Sequence, residues 1–298
     1  MKKTLISATL AVLLAGNLAF GEVNKTNAQI SKDVAKTALT NATNKANKNK
    51  SDVKVVKEAV NAIKLTQEAL IDLSKNKKDD AIKKIEDALG KLEVILQNPK
   101  APALIPLDAK VAVYEYRGSN DSITNAIISS IALLQNKRVQ AAREIVSTLR
   151  DEIDFITVNL PMASYPAALK LAAKKLHENK VDEAKAILAT ALNTFVQVDV
   201  VTPIGILEAQ ELIKAASKVA KKDKKLALSH LEAAKEALRR DELLGYTSKS
   251  DTTYKMLRDE INKVQKEIRG KNKAEKLFEE LINKIKEFKD KAAKTIKG

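Results

Sequence analysis

Residues Ile153 to Ala209 read IDFITVNLPMASYPAALKLAAKKLHENKVDEAKAILATALNTFVQVDVVTPIGILEA, and the fold turns on how this stretch is parsed. It holds one Ala/Leu-rich helical hairpin between two runs rich in β-branched residues. These are Phe155-Ile-Thr-Val158-Asn159-Leu-Pro161 and Phe195-Val-Gln-Val198-Asp199-Val-Val-Thr-Pro203. Both carry Phe-x-x-Val-Asx and both end in proline. We read them as joints between stacked hairpins, because an Asx followed by a Pro-led helix is ordinary turn chemistry. Proline is tolerated in a first helical turn, where no backbone donor is needed.

Outward from this stretch the same unit recurs. Ala81, Ala141, Ala184, Ala227 and Ala274 each lead the second helix of a hairpin, after a short turn of Asn, Lys or Asp. In the first hairpin Ala59, Ala62, Ile63, Thr66, Ala69, Leu70 and Leu73 fall three and four apart, which puts them on one helical face. A hairpin of this length cannot bury its apolar face alone, so neighbours must stack. Pro99, Pro102 and Pro106 break any helix and mark a linker. Ile153 and Ile156 read as the tail of the helix that begins at Ala141. The expected fold class is all-α: stacked antiparallel helical hairpins, a bundle or short helical-repeat array with no sheet. Only 8 Gly, 6 Pro and 3% aromatic residues in 298 suit that class.

Four segments follow. Residues 1–21 carry Lys2 and Lys3, an apolar run from Leu5 to Leu14 and small residues before Glu22, the pattern of a cleaved signal peptide. The mature protein is therefore expected to be exported. Residues 22–52 are poor in large apolar side chains and read as a flexible N-terminal linker, with a loose helix around Ile30 to Leu39. Residues 53–245 form the hairpin core, and residues 246–298 a basic C-terminal helical hairpin.

The residues argue against an enzyme. There is no Cys, which excludes disulfides, thiolate metal sites and a thiol nucleophile. His177 and His230 lie among Lys, Glu and Ala and read as solvated helix-surface groups without a catalytic partner. No metal-ligand spacing, Gly-rich phosphate loop or Gly-x-Ser-x-Gly elbow occurs. We therefore expect no catalytic, metal or cofactor site. The net charge of +15 is spread over 53 basic residues, of which 8 are Arg, and there is no Trp. Without interleaved aromatics to stack on bases, a nucleic-acid partner is not expected. The basic C-terminal stretch from Lys249 to Lys297 instead suits weak, salt-sensitive contact with anionic lipid or envelope polymer. The joints supply the candidate ligand groove: Phe155, Val158, Asn159, Tyr165, Phe195, Val198 and Asp199, placed to take a small amphiphile or a peptide.

The segments ITVNLPMASYPAAL and TFVQVDVVTPIGILEA, with the ending ELLGYTSKSDTTYKML, resemble the YfdX family of bacterial proteins. The resemblance runs from about Val53 to Tyr254. It implies a periplasmic, all-α, homo-oligomeric protein linked to stress tolerance, acting by binding a small molecule or client. It carries over no catalytic residues. A helical repeat scaffold that recruits an envelope protein partner is the alternative expectation.

Overall fold

The computed structural model describes residues 25–246, 252–270 and 274–292. The expected signal peptide lies outside these residues, as does part of the turn between the last two helices. The element order is α1 (Asn27–Asp52), α2 (Lys57–Ser74), α3 (Lys78–Leu96), β1 (Leu104–Tyr114), α4 (Asn120–Gln135), α5 (Val139–Ser147), β2 (Glu152–Pro161), α6 (Tyr165–His177), α7 (Val181–Ala191), β3 (Val196–Pro203), α8 (Ile204–Val219), α9 (Lys224–Leu243), α10 (Tyr254–Arg269) and α11 (Glu275–Ala292).

The five hairpins expected from the three-and-four spacing are present. The turns of the first three share one device. Asn76, Lys137 and Asn179 each adopt a left-handed φ near +59°. The following amide reaches back to close the helix end: Lys77 N to Asp72 O, Arg138 N to Leu133 O and Lys180 N to Lys175 O. In the next turn of chain Ala81, Ala142 and Ala184 donate to Lys77, Arg138 and Lys180. The second hairpin is therefore in phase at Ala142, which is buried, and not at Ala141 as the spacing suggested.

The absence of a sheet is corrected. A three-stranded antiparallel sheet of order β1-β2-β3 runs through the middle of the molecule. The two joints are its strands β2 and β3, and they pair with each other: Phe155 opposite Val200, Val158 opposite Gln197 and Asn159 opposite Val196. Ile153 and Ile156 belong to β2, and the helix before it ends at Ser147. The supposed proline linker holds β1, which pairs with β2 from Leu104↔Pro161 to Tyr114↔Glu152. The physical reason is strand chemistry. Ile156, Thr157, Val158, Val196, Val198 and Val200 are β-branched and pack well on a pleated surface. Proline is compatible with edges, ends and bulges. Pro106 sits on edge strand β1 where the register shifts, and Pro161 and Pro203 each end a strand.

The stretch expected as a flexible linker is corrected as well, since α1 occupies Asn27–Asp52. Thr26 accepts from Gln29 N as its N-cap. Val34 and Ala35 pack on the core formed by α8 to α11, and Ser31 and Ala38 are buried. Small residues at 31, 35, 38, 42 and 46 let this helix lie close against its neighbours.

Two cores result. The first joins α2, α3, α6 and α7 over one end of the sheet, with Leu73, Leu92, Ile105, Leu160, Tyr165 and Leu188 inside. The second joins α8, α9, α10 and α11 at the other end, with Val201, Leu212, Leu231, Leu257, Ile285 and Phe288 inside. Hairpin α4–α5 rests on α9 and leaves Ile128, Ile131, Leu134, Val139 and Val146 exposed.

Candidate functional site

Antiparallel partners project to the same sheet face and successive residues to opposite faces. The pairing therefore divides the expected groove residues. Phe155, Asn159 and Val198 share one face, while Val158 and Asp199 share the other. Asn159 is buried and structural: its Nδ2 donates to Val196 O at 3.1 Å and Thr157 Oγ1 at 3.1 Å, tying β2 to β3. Asp199 accepts from the Gln197 side chain on its own strand. Tyr165 is fully buried in the first core, where its ring lies 6.3 Å from that of Phe195. These seven residues therefore form no single groove. Of these residues Phe155 lines a cavity of about 320 Å³.

A cavity of about 920 Å³ lies elsewhere, between α1, α8, α9 and the chain after β1. It is a groove. It follows α1 from Ala28 to Thr40 and α9 from Ser229 to Arg240, roughly 18 Å and 16 Å at the rise of an α-helix. Ala35, Leu39, Leu212, Ala233 and Ala237 supply apolar floor. Lys32 and Lys36 stand on the α1 side, Glu232 and Glu236 on the α9 side. Glu232 is held by Lys235 at 2.8 Å, and Glu236 accepts from Asn120 Nδ2 at 2.8 Å.

Two polar clusters fix the walls. In the first, Ser31 Oγ lies 2.9 Å from His230 Nδ1 and 3.1 Å from Ser229 Oγ, which locks α1 onto α9. His230 is 2% exposed, so the expected solvated histidine is corrected; burial holds its pKa below the usual imidazole value, against the opposite pull of Asp223. His177 is exposed. In the second cluster Arg240 closes the end of the groove, bonding Asp151 Oδ2 at 2.6 Å and Glu208 Oε2 at 2.5 Å. Burial raises the pKa of both carboxylates, and the guanidinium works against that shift. Burial likewise opposes the charge of Arg240, but Glu208 and Asp151 outweigh it and hold the guanidinium protonated. Tyr246 Oη accepts from Asp151 N and donates to Glu152, joining the foot of β2 to the end of α9. Beneath them the fully buried Asp241 accepts from Gly205 N at 3.1 Å and Ile206 N at 2.7 Å, capping α8 from α9.

Among the described residues no group of three or more His, Asp or Glu is placed to hold a metal ion. The groove presents an apolar floor, with cations on one edge and carboxylates on the other. The sequence reading missed this groove because its residues come from α1, taken as a tether, and from the His230 face of α9. Ser31, Ala35 and Ala38 at helical spacing, and His230 between Ala227 and Ala234, were the available signals.

Residues 62–201 match the family model described as YfdX protein. The chain carries a YfdX region. It begins within α2 and ends in β3, so it takes in the first core and most of the sheet. The matched residues stop short of α8 and α9. Among solved structures the chain is similar to YfdX of Salmonella Typhi, at 15% identity and a TM-score of 0.33, covering 49% of this chain and 91% of that one. No curated protein matches the chain. The α1–α9 groove is built almost entirely from residues outside the YfdX region.

Proposed function

We propose that the protein is exported to the periplasm and acts there, in stress tolerance, as a non-catalytic binding protein that takes a short peptide or a small amphiphile in the α1–α9 groove. The observation that carries this reading is the shape and lining of the groove. About 16 Å of apolar floor matches roughly five extended residues at 3.3 Å each, and the opposed Lys and Glu edges suit a ligand with apolar and polar parts. The test is fluorescence anisotropy with labelled octapeptides of mixed charge, beside calorimetry with uncharged and zwitterionic detergents below micelle concentration. Wild type is expected to bind in one of the two series, and Ala233→Trp, which fills the floor, to lose that binding while melting normally. Equal binding by both proteins, or none by wild type in either series, would refute the reading.

The alternative, a scaffold that recruits protein, is favoured by the α4–α5 hairpin. Ile128 and Ile131 are 59% and 50% exposed, with Leu134, Val139 and Val146 also exposed on the same hairpin. A second copy of the chain is the first partner to examine. Light scattering across a concentration series should show a mass that falls toward the monomer in Ile128→Lys/Ile131→Lys; an unchanged mass removes this face from consideration.

A further inference from the structure

On the sheet face that carries Phe155, a second cavity of about 320 Å³ opens between α1, the sheet and α11. Its floor is the register pair Phe155–Val200 with Ile153 beside it, and Leu207 closes the α8 end. Lys45 from α1 and Lys289 from α11 stand at its rim. Among the described residues neither ammonium has a carboxylate within 4 Å; Lys289 Nζ donates to the amide oxygen of Gln210 at 3.1 Å. Asp290 also borders the cavity, so the rim carries two cations and one anion. The deeper cation is short of compensation. Burial, with Lys45 and Lys214 nearby, brings Lys289 below the usual lysine range, against the opposite pull of Asp290 and Glu211. Burying an ammonium beside a like charge is unfavourable unless an anion completes the site.

We infer that this cavity is a binding site for a free single-chain carboxylate, whose head lies between Lys45 and Lys289 and whose tail lies on Ile153, Phe155, Val200 and Leu207. A volume of 320 Å³ holds about ten water-sized groups at roughly 30 Å³ each, the size of an eight-carbon acid. Thr202 and Asn49, both at the cavity wall, supply a hydroxyl and an amide able to donate to the second carboxylate oxygen. The site shares no lining residue with the α1–α9 groove.

Calorimetry on the full chain with octanoate, octanol and octyltrimethylammonium tests the inference. Octanoate should bind more tightly than either analogue, and Lys45→Gln/Lys289→Gln should weaken it at least tenfold while octanol binding and the melting temperature hold. Ala233→Trp should leave octanoate binding intact. Absence of octanoate binding, equal affinity for octanol, or equal affinity in the double variant would overturn the site. Octanoate binding that survives the double variant and disappears with Ala233→Trp would overturn it too, while leaving the groove reading standing.

Discussion

The two helical ends of the molecule are built from the same hairpin and differ in how much polar chemistry they bury. The core of α2, α3, α6 and α7, inside the YfdX region apart from the start of α2, is a mainly aliphatic seam closed by Tyr165, with Thr66 and Asp72 as the buried polar groups of α2. The core of α8 to α11, outside that region, admits His230, Gln210, Asp241 and Gln265, and its flanks hold both cavities discussed above. One end is a packed support. The other carries desolvated charge held in place by specific partners, which is where binding chemistry concentrates.

Removing the guanidinium should separate the two ends most sharply. Arg240→Met leaves Asp151 and Glu208 buried and uncompensated, and chemical denaturation at neutral pH should show a loss of about 3–5 kcal/mol. Both carboxylates have folded-state pKa values above the unfolded ones, so their contribution is present at low pH and fades as pH rises through the folded value. The cost of Arg240→Met should therefore shrink on acidification; a loss independent of pH would mean that Arg240 serves packing alone.

Next in size is Gly205→Ala. A Cβ there would sit 2.4 Å from Ala237 O and 2.5 Å from Asp241 Oδ1, forcing α8 away from α9 and loosening the Asp241 cap. A loss of about 1–3 kcal/mol is expected, and the wild-type melting temperature would show that the helices can part freely. At the aliphatic end the sign reverses. The Tyr165 hydroxyl is buried near Thr66 with no hydrogen bond within 3.5 Å, so Tyr165→Phe should be neutral or stabilise by up to about 1 kcal/mol. A clear drop would reveal a bond that the geometry lacks.

The smallest effect is local. Asp72, bonded to Lys84 between α2 and α3, has a lowered pKa, chiefly through that bond. Its contribution is present above the unfolded value and lost as pH falls through the folded one. Hydrogen exchange from neutral toward acid pH, corrected for intrinsic rates, should show protection in α9 rising relative to that in α2 and α3. Parallel changes at both ends would dissolve the contrast.

How much of this was legible in the residues depends on the range of the interaction. The hairpins were readable because Ala81, Ala184 and Ala227 repeat on local helical spacing, and helices satisfy their backbone within four residues. The sheet was not, because Phe155 meets Val200, and Val111 meets Phe155, across intervening helices. Nothing local in Phe-x-x-Val-Asx says that two copies will pair with each other. The β-branched content of both runs was a strand signal, and the proline that ends each of them obscured it. The split of the expected site follows directly: once Phe155 and Val158 lie in a strand, they point apart.

The pairing of β2 with β3 also limits how this protein could grow. An open helical array lengthens by inserting another unit anywhere along its stack. Here the two copies of the joint are hydrogen-bonded neighbours with a single hairpin, α6–α7, between them. A duplicated hairpin inserted after Ala191 would have to loop out of the ladder or tear β3 from β2. The repeat is thus closed on itself, and new length can be added only at the ends of the chain.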